Sequence, residues 1–194
     1  MRRTPFDSLK PSLSKAQLQQ RHRALSIAQA DTRVQARLIS GRMAGKAARM
    51  DLTREYPRGP REELDGMMLL PRAVDKARAQ LEGKLGDYKY YGCRFNLRLF
   101  NTLGVTEDEF LDAVRRSPDD AAVVEWIREY VRPERDRIEK MHRWVLHNEP
   151  AESEREEFRN ELEKLDPGND SVKTWTELID LEEGRRKKES STAT

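Results

Sequence analysis

The chain has 194 residues, of which 36% are hydrophobic and 37% charged, a polar balance for a length that fits one domain plus tails. A single cysteine excludes a disulfide scaffold, ten glycines and nine prolines without a period exclude a collagen-like chain, and no run nears the roughly 18 apolar residues of a membrane span. The formal charge of +2 hides an uneven spread: residues 1–50 carry 11 Lys and Arg against Asp7 and Asp31, residues 51–184 have a net charge of −10, and 185–194 are basic again.

The part expected to fold is therefore acidic, and the basic footprint that usually announces nucleic-acid binding is missing from it. Residues 1–50 hold no Trp or Tyr and scatter Arg among Ala, Gln and Ser. Propensity allows a helix from about Ser14 to Ala30, but Leu18 and Leu25 do not continue into an apolar stripe. The segment is expected to be a basic extension, disordered or weakly helical. The alternatives are an upstream extension before an internal start at Met43 or Met50, and an Arg-rich, acid-poor targeting peptide. A nucleic-acid-binding arm is a further reading, without interleaved aromatics to stack on bases.

Residues 51–66 read as an extended lead-in, since Pro57 and Pro60 push the residues before them out of the helical region. Leu70, Val74, Ala77, Leu81 and Leu85 then recur on one helical face, with Pro71 in the first turn and Gly83 or Gly86 at the end. Gly86 to Cys93 holds three of the five tyrosines and reads as a structured loop. Phe95, Leu97, Leu99, Phe100 and Leu103 form a short helix that is apolar nearly all round, hence buried, and Gly104 closes it.

Thr106 and Glu109 form a capping box that opens a helix with Phe110, Leu111 and Val114 inward. Ser117 as cap and Pro118 at the first position start another, burying Val123, Trp126, Ile127 and Tyr130. After Pro133, Ile138, Met141 and Val145 line a helix that Pro150 ends. An acidic helix from Glu154 to Leu165 turns Phe158, Leu162 and Leu165 inward, and 166–170 is a turn. Thr174 and Glu177 cap a last helix burying Trp175, Leu178, Ile179 and Leu181 before Gly184. No stretch alternates long enough for a sheet. The expected fold is all-α: one compact domain of six or seven short helices over 51–184, with the 1–50 extension and a disordered basic tail at 185–194.

The string Asp51-Leu-Thr, Leu70-Pro-Arg-Ala-Val-Asp-Lys-Ala-Arg78, Leu85-Gly-Asp-Tyr88 and Gly92-Cys93, with the closing Thr174-Trp-Thr-Glu-Leu-Ile-Asp-Leu-Glu-Glu-Gly184, resembles a bacterial family catalogued as a domain of unknown function, DUF5069. The likeness covers about 51–184 and is weaker over 133–165. It implies a small soluble bacterial protein with residues 1–50 outside the domain, and it implies no activity.

The chemistry rests on few residues. Arg72, Asp75, Lys76, Arg78 and Glu82 share the polar side of the first core helix, where Asp75 at three-residue spacing could meet both Arg72 and Arg78. The simple reading is a solvated ion-pair face. The functional reading is an anion site on two guanidiniums, completed by Tyr88, Cys93 and Arg94 if the loop folds back over the helix. Cys93, the only thiol, is expected to be structural; as a nucleophile it would need Arg94 or a folded-in His142 or His147.

Glu139 and His142 have the spacing of carboxylate-bridged metal bundles, but the second such motif is missing, so no metal and no cofactor is expected. Seven acids between Glu152 and Asp166 read as a solvated face. The expected function is a non-enzymatic binding or interaction module, cytoplasmic and accessory or regulatory, with an unknown protein partner or an anionic small molecule and no membrane contact. The alternatives are a small enzyme or anion binder around Arg72, Asp75, Arg78, Tyr88 and Cys93, and a nucleic-acid contact through residues 1–50 alone.

Overall fold

A computed structural model of the chain describes residues 50–186. The expected helix at 14–30, the basic extension and most of the basic tail lie outside these residues. Within them the fold is all-α, with seven α-helices and one minimal hairpin.

The lead-in departs from the extended expectation. Residues 51–55 form a tight turn, tied by the Leu52 N–H to the Lys84 carbonyl at 2.9 Å. Two-residue strands β1 (Glu63–Leu64) and β2 (Met67–Met68) then pair antiparallel across Asp65 and Gly66. Both turn residues have positive φ, 54° and 68°, the geometry that matches the twist of a two-residue hairpin and favours Asp-Gly. The Asp-Gly pair was the overlooked signal.

Leu69, in the left-handed region at φ 67°, swings the chain from the hairpin into α1 (Leu70–Glu82). Pro71 stands in its first turn and Gly83, not Gly86, caps its end. Leu85 lies beyond the helix and packs only partly against the core. The polar side of α1 corrects the solvated-face expectation. Every residue from Leu70 to Ala79 is buried, including Arg72, Asp75, Lys76 and Arg78.

Helix α2 (Arg94–Leu103) buries Phe95, Leu99, Phe100 and Leu103 but leaves Leu97 exposed, so one face meets solvent. Helix α3 (Glu107–Arg116) opens with the expected Thr106–Glu109 capping box. Helix α4 (Asp120–Trp126) starts later than the sequence indicated. Its cap is Asp119, which accepts from the Ala122 N–H at 2.9 Å, while the Ser117 hydroxyl donates back to the Ala113 carbonyl at 2.8 Å.

A π-helical turn, Ile127–Val131, continues α4. Its wider turn shifts the register, so Val131 packs against the core and Tyr130 is exposed, contrary to the α-helical spacing. Helices α5 (Arg135–His147), α6 (Arg155–Leu165, after a 3-10 turn at Glu152–Glu154) and α7 (Trp175–Glu182, with the Thr174–Glu177 capping box) complete the fold.

Helix α1 packs against α3 and the hairpin, α2 against α3 and α5, and α6 against α7. The main core strings Tyr90, Phe100, Phe110 and Trp126 together, with ring centroids 5.9, 4.8 and 6.2 Å apart, spacings at which aromatic pairs attract beyond their buried area. A satellite core of Phe158, Leu162, Val172, Leu178 and Leu181 lies between α6 and α7, and Trp175 packs against both clusters.

Candidate functional site

Burial of the polar side of α1 demands partners, because an unpaired buried charge costs several kcal/mol. The partners come from distant segments rather than along the helix. Asp75, 1% exposed, takes the Arg58 backbone N–H at 2.9 Å and the Arg58 side chain through Nε at 2.9 Å and Nη2 at 2.7 Å. Arg58 Nη1 also reaches Asp120 at 2.6 Å, and Arg78 Nη1 meets the other oxygen of Asp120 at 2.8 Å. Burial raises the Asp120 carboxyl, but hydrogen bonding and charge from Arg58 and Arg78 outweigh it and hold the group below its ordinary value.

Arg72 makes a fork-to-fork pair with Glu183, Nη1 to Oε2 at 2.9 Å and Nη2 to Oε1 at 2.6 Å, and adds a bond to the Arg58 carbonyl at 3.1 Å. The Tyr88 hydroxyl donates to Glu183 Oε1 at 2.7 Å, and Arg185 closes on Oε2. Burial pushes the Glu183 carboxyl up; these donors more than offset it and keep it below the ordinary carboxylate value. Tyr88 is driven well above the usual phenol value, first by burial and then by Glu183, so it stays a protonated donor.

The Tyr88–Cys93 loop folds back over α1. The Tyr88 ring lies 5.5 Å from the Arg72 guanidinium and 5.8 Å from the Lys76 ammonium, within cation–π range. Cys93 precedes α2, and Lys76 Nζ donates to its Sγ at 3.1 Å. Burial pushes the thiol up, while Lys76 and the N–H groups of Asn96 and Phe95 in the first turn of α2 pull harder, and the thiol falls below its ordinary value. Burial also lowers Lys76.

The structure thus gathers Arg72, Tyr88 and Cys93 around one corner of α1, with Lys76 and Glu183, which the sequence reading had not placed in the site. Asp75 and Arg78 are engaged elsewhere, Asp75 by Arg58 and Arg78 by Asp120. Arg94 turns away: it pairs with Glu154 at 3.1 Å and lies over Trp144 and Trp175. Tyr90 and Tyr91 bond the Glu107 carbonyl and Asp108, on the α3 side. His142 accepts from the Met68 N–H through Nε2 at 3.2 Å, so lysine, not histidine, meets the thiol. Among the described residues no three His, Cys, Asp or Glu side chains cluster as a metal site, and no helix is long and apolar enough to cross a membrane.

A cleft of about 670 Å³ opens above this corner, between the 52–56 turn, residues 87–89 and the end of α7. Arg72, Tyr88 and Glu183 line it from α1, the loop and the C-terminal segment, and Arg54, Glu55, Asp87, Lys89 and Glu182 surround them. Residue types alone could not reveal it, because its walls come from segments as far apart in the chain as Leu52 and Glu183.

None of the curated proteins compared with the chain matches it. The signature of the domain of unknown function DUF5069 matches residues 54–185, which include α1, the Tyr88–Cys93 loop and Glu183. On that match over most of its length, the chain belongs to the DUF5069 family.

Proposed function

We propose that this protein is a non-catalytic binding module that holds a small polar ligand in the cleft over Arg72, Tyr88 and Glu183. The observation that carries the reading is the Arg72–Glu183 pair, whose two bonds of 2.9 and 2.6 Å neutralise the cleft floor before any ligand arrives. A free anion would have to displace Glu183 from Arg72, so the anionic ligand expected from two guanidiniums is disfavoured. The rim carries both signs, Arg54 and Lys89 against Glu55, Asp87 and Glu182, which suits a zwitterion with separated charges. The volume falls in the range of about 300–1,000 Å³ usual for small-molecule sites.

A thermal-shift panel of zwitterions, simple anions and neutral polyols tests this. Binding to the native state alone adds about 2.7 kcal/mol of stability at a ligand concentration 100 times Kd. The expected result is a dose-dependent rise in Tm with a zwitterion, reduced in Lys89→Ala, a rim substitution outside the core. A panel in which no zwitterion raises Tm, or in which anions alone do, overturns the proposal.

A further inference from the structure

Lys76 and Cys93 do not line the cleft, and the binding reading makes no use of them. Lys76 is 3% exposed. Arg72, one turn before it, and Arg78, two residues after it, each have a carboxylate; among the described residues Lys76 has none within ion-pairing distance, and its hydrogen bond goes to Cys93 Sγ at 3.1 Å. The thiol occupies the place that an acid fills for the neighbouring cations. Arg72 opposes a full charge on Lys76 and Glu183 favours one, while Cys93 remains partly exposed. The site is two nucleophiles in contact, one sealed in and one on a partly exposed residue.

We infer that Lys76 and Cys93 form an oxidation site, at which a hydroperoxide drives formation of an Nζ–Sγ crosslink between α1 and the start of α2. In the first step the Cys93 thiolate attacks a peroxide oxygen. The S–O bond forms, the O–O bond breaks, hydroxide or alkoxide leaves and takes up a proton, and sulfur loses two electrons to the peroxide. In the second step the neutral Lys76 amine attacks the sulfenic sulfur. The N–S bond forms, the S–O bond breaks, and the departing hydroxide leaves as water with an amine proton. The sulfur and nitrogen, 3.1 Å apart, already sit at the roughly 3–3.5 Å separation of a near-attack pair.

The test is intact mass and peptide mapping of the full chain after treatment with hydrogen peroxide. The expected product is lighter than the reduced protein by two hydrogens, joins the peptide containing Lys76 to that containing Cys93, and reverts with dithiothreitol. In Lys76→Arg, which keeps a cation and removes the condensing amine, the expected product is one oxygen heavier and is trapped by dimedone. Wild-type protein that stops at one added oxygen, proceeds to two or three, forms only a disulfide dimer, or does not react overturns the inference. A crosslink that retains an oxygen overturns the condensation step. The wild-type readout decides the matter even if the variant does not fold, and it is independent of ligand binding in the cleft.

Discussion

Glu183 shows how much one side chain can gain from its surroundings. Although 6% exposed, it carries donors from Arg72, Arg185 and Tyr88 and titrates below its ordinary value. A carboxylate depressed in the folded state contributes stability that is fully present above its unfolded-state value and is lost as pH falls through the folded one. Asp180 runs the other way: burial raises it against the pull of Arg61 and Arg185, so acidification relieves a cost there. Glu183→Gln is expected to lower stability at neutral pH and to flatten the acid limb of a plot of urea-unfolding free energy against pH. An acid limb as steep as that of the wild type would show that Glu183 is not the group being titrated. Sequence reading gave Arg72 a partner in Asp75, three residues on, where the structure pairs it with Glu183. Spacing along a helix reports what two side chains could reach, and burial decided otherwise by bringing Arg58 to Asp75 first.

Helices were the most legible level, because caps and periodicity act within one turn of chain. The Thr106 and Thr174 boxes formed as their residues indicate. Sequence reading took Ser117 as the cap of α4, but the structure uses Asp119, and the Ser117 hydroxyl bonds the end of α3 instead. Asp119→Ala is therefore expected to cost about 1 kcal/mol, and Ser117→Ala clearly less, in chemical denaturation. Equal losses, or a larger one at Ser117, would contradict the assigned cap. Tyr130 illustrates the limit of periodicity: seven residues after Val123 it should face inward, but the π-helical turn rotates it out and brings Val131 in. Nothing in the local composition marks that extra residue.

At the level of the whole molecule, α1 is a charged strut whose partners tie the domain together. Arg72 and Glu183 are 111 positions apart, and Arg58 and Asp120 are 62, so these contacts hold the lead-in and the C-terminal segment to the same helix. Breaking such a buried pair on one side leaves a charge uncompensated, and Arg72→Ala is expected to cost about 3–5 kcal/mol. Replacing both partners by Met should cost less than the single change, since neither buried charge of the pair is left behind. Equilibrium unfolding of the wild type, Arg72→Ala, Arg72→Met, Glu183→Met and the double Met variant measures this; a double variant as unstable as the sum of its Met singles would remove the coupling on which the strut depends.

The sequence by itself determined the all-α class, most helix ends and the inward faces, since these follow from terms that act over three or four neighbouring residues. Tertiary structure alone decided that the polar face of α1 is buried, that Arg58, Asp120 and Glu183 meet it, and that a lysine rather than a histidine stands beside Cys93. Charges attract through space whatever the chain length between them, so their pairing leaves no periodic mark and is fixed only when packing brings distant segments within a hydrogen bond of each other.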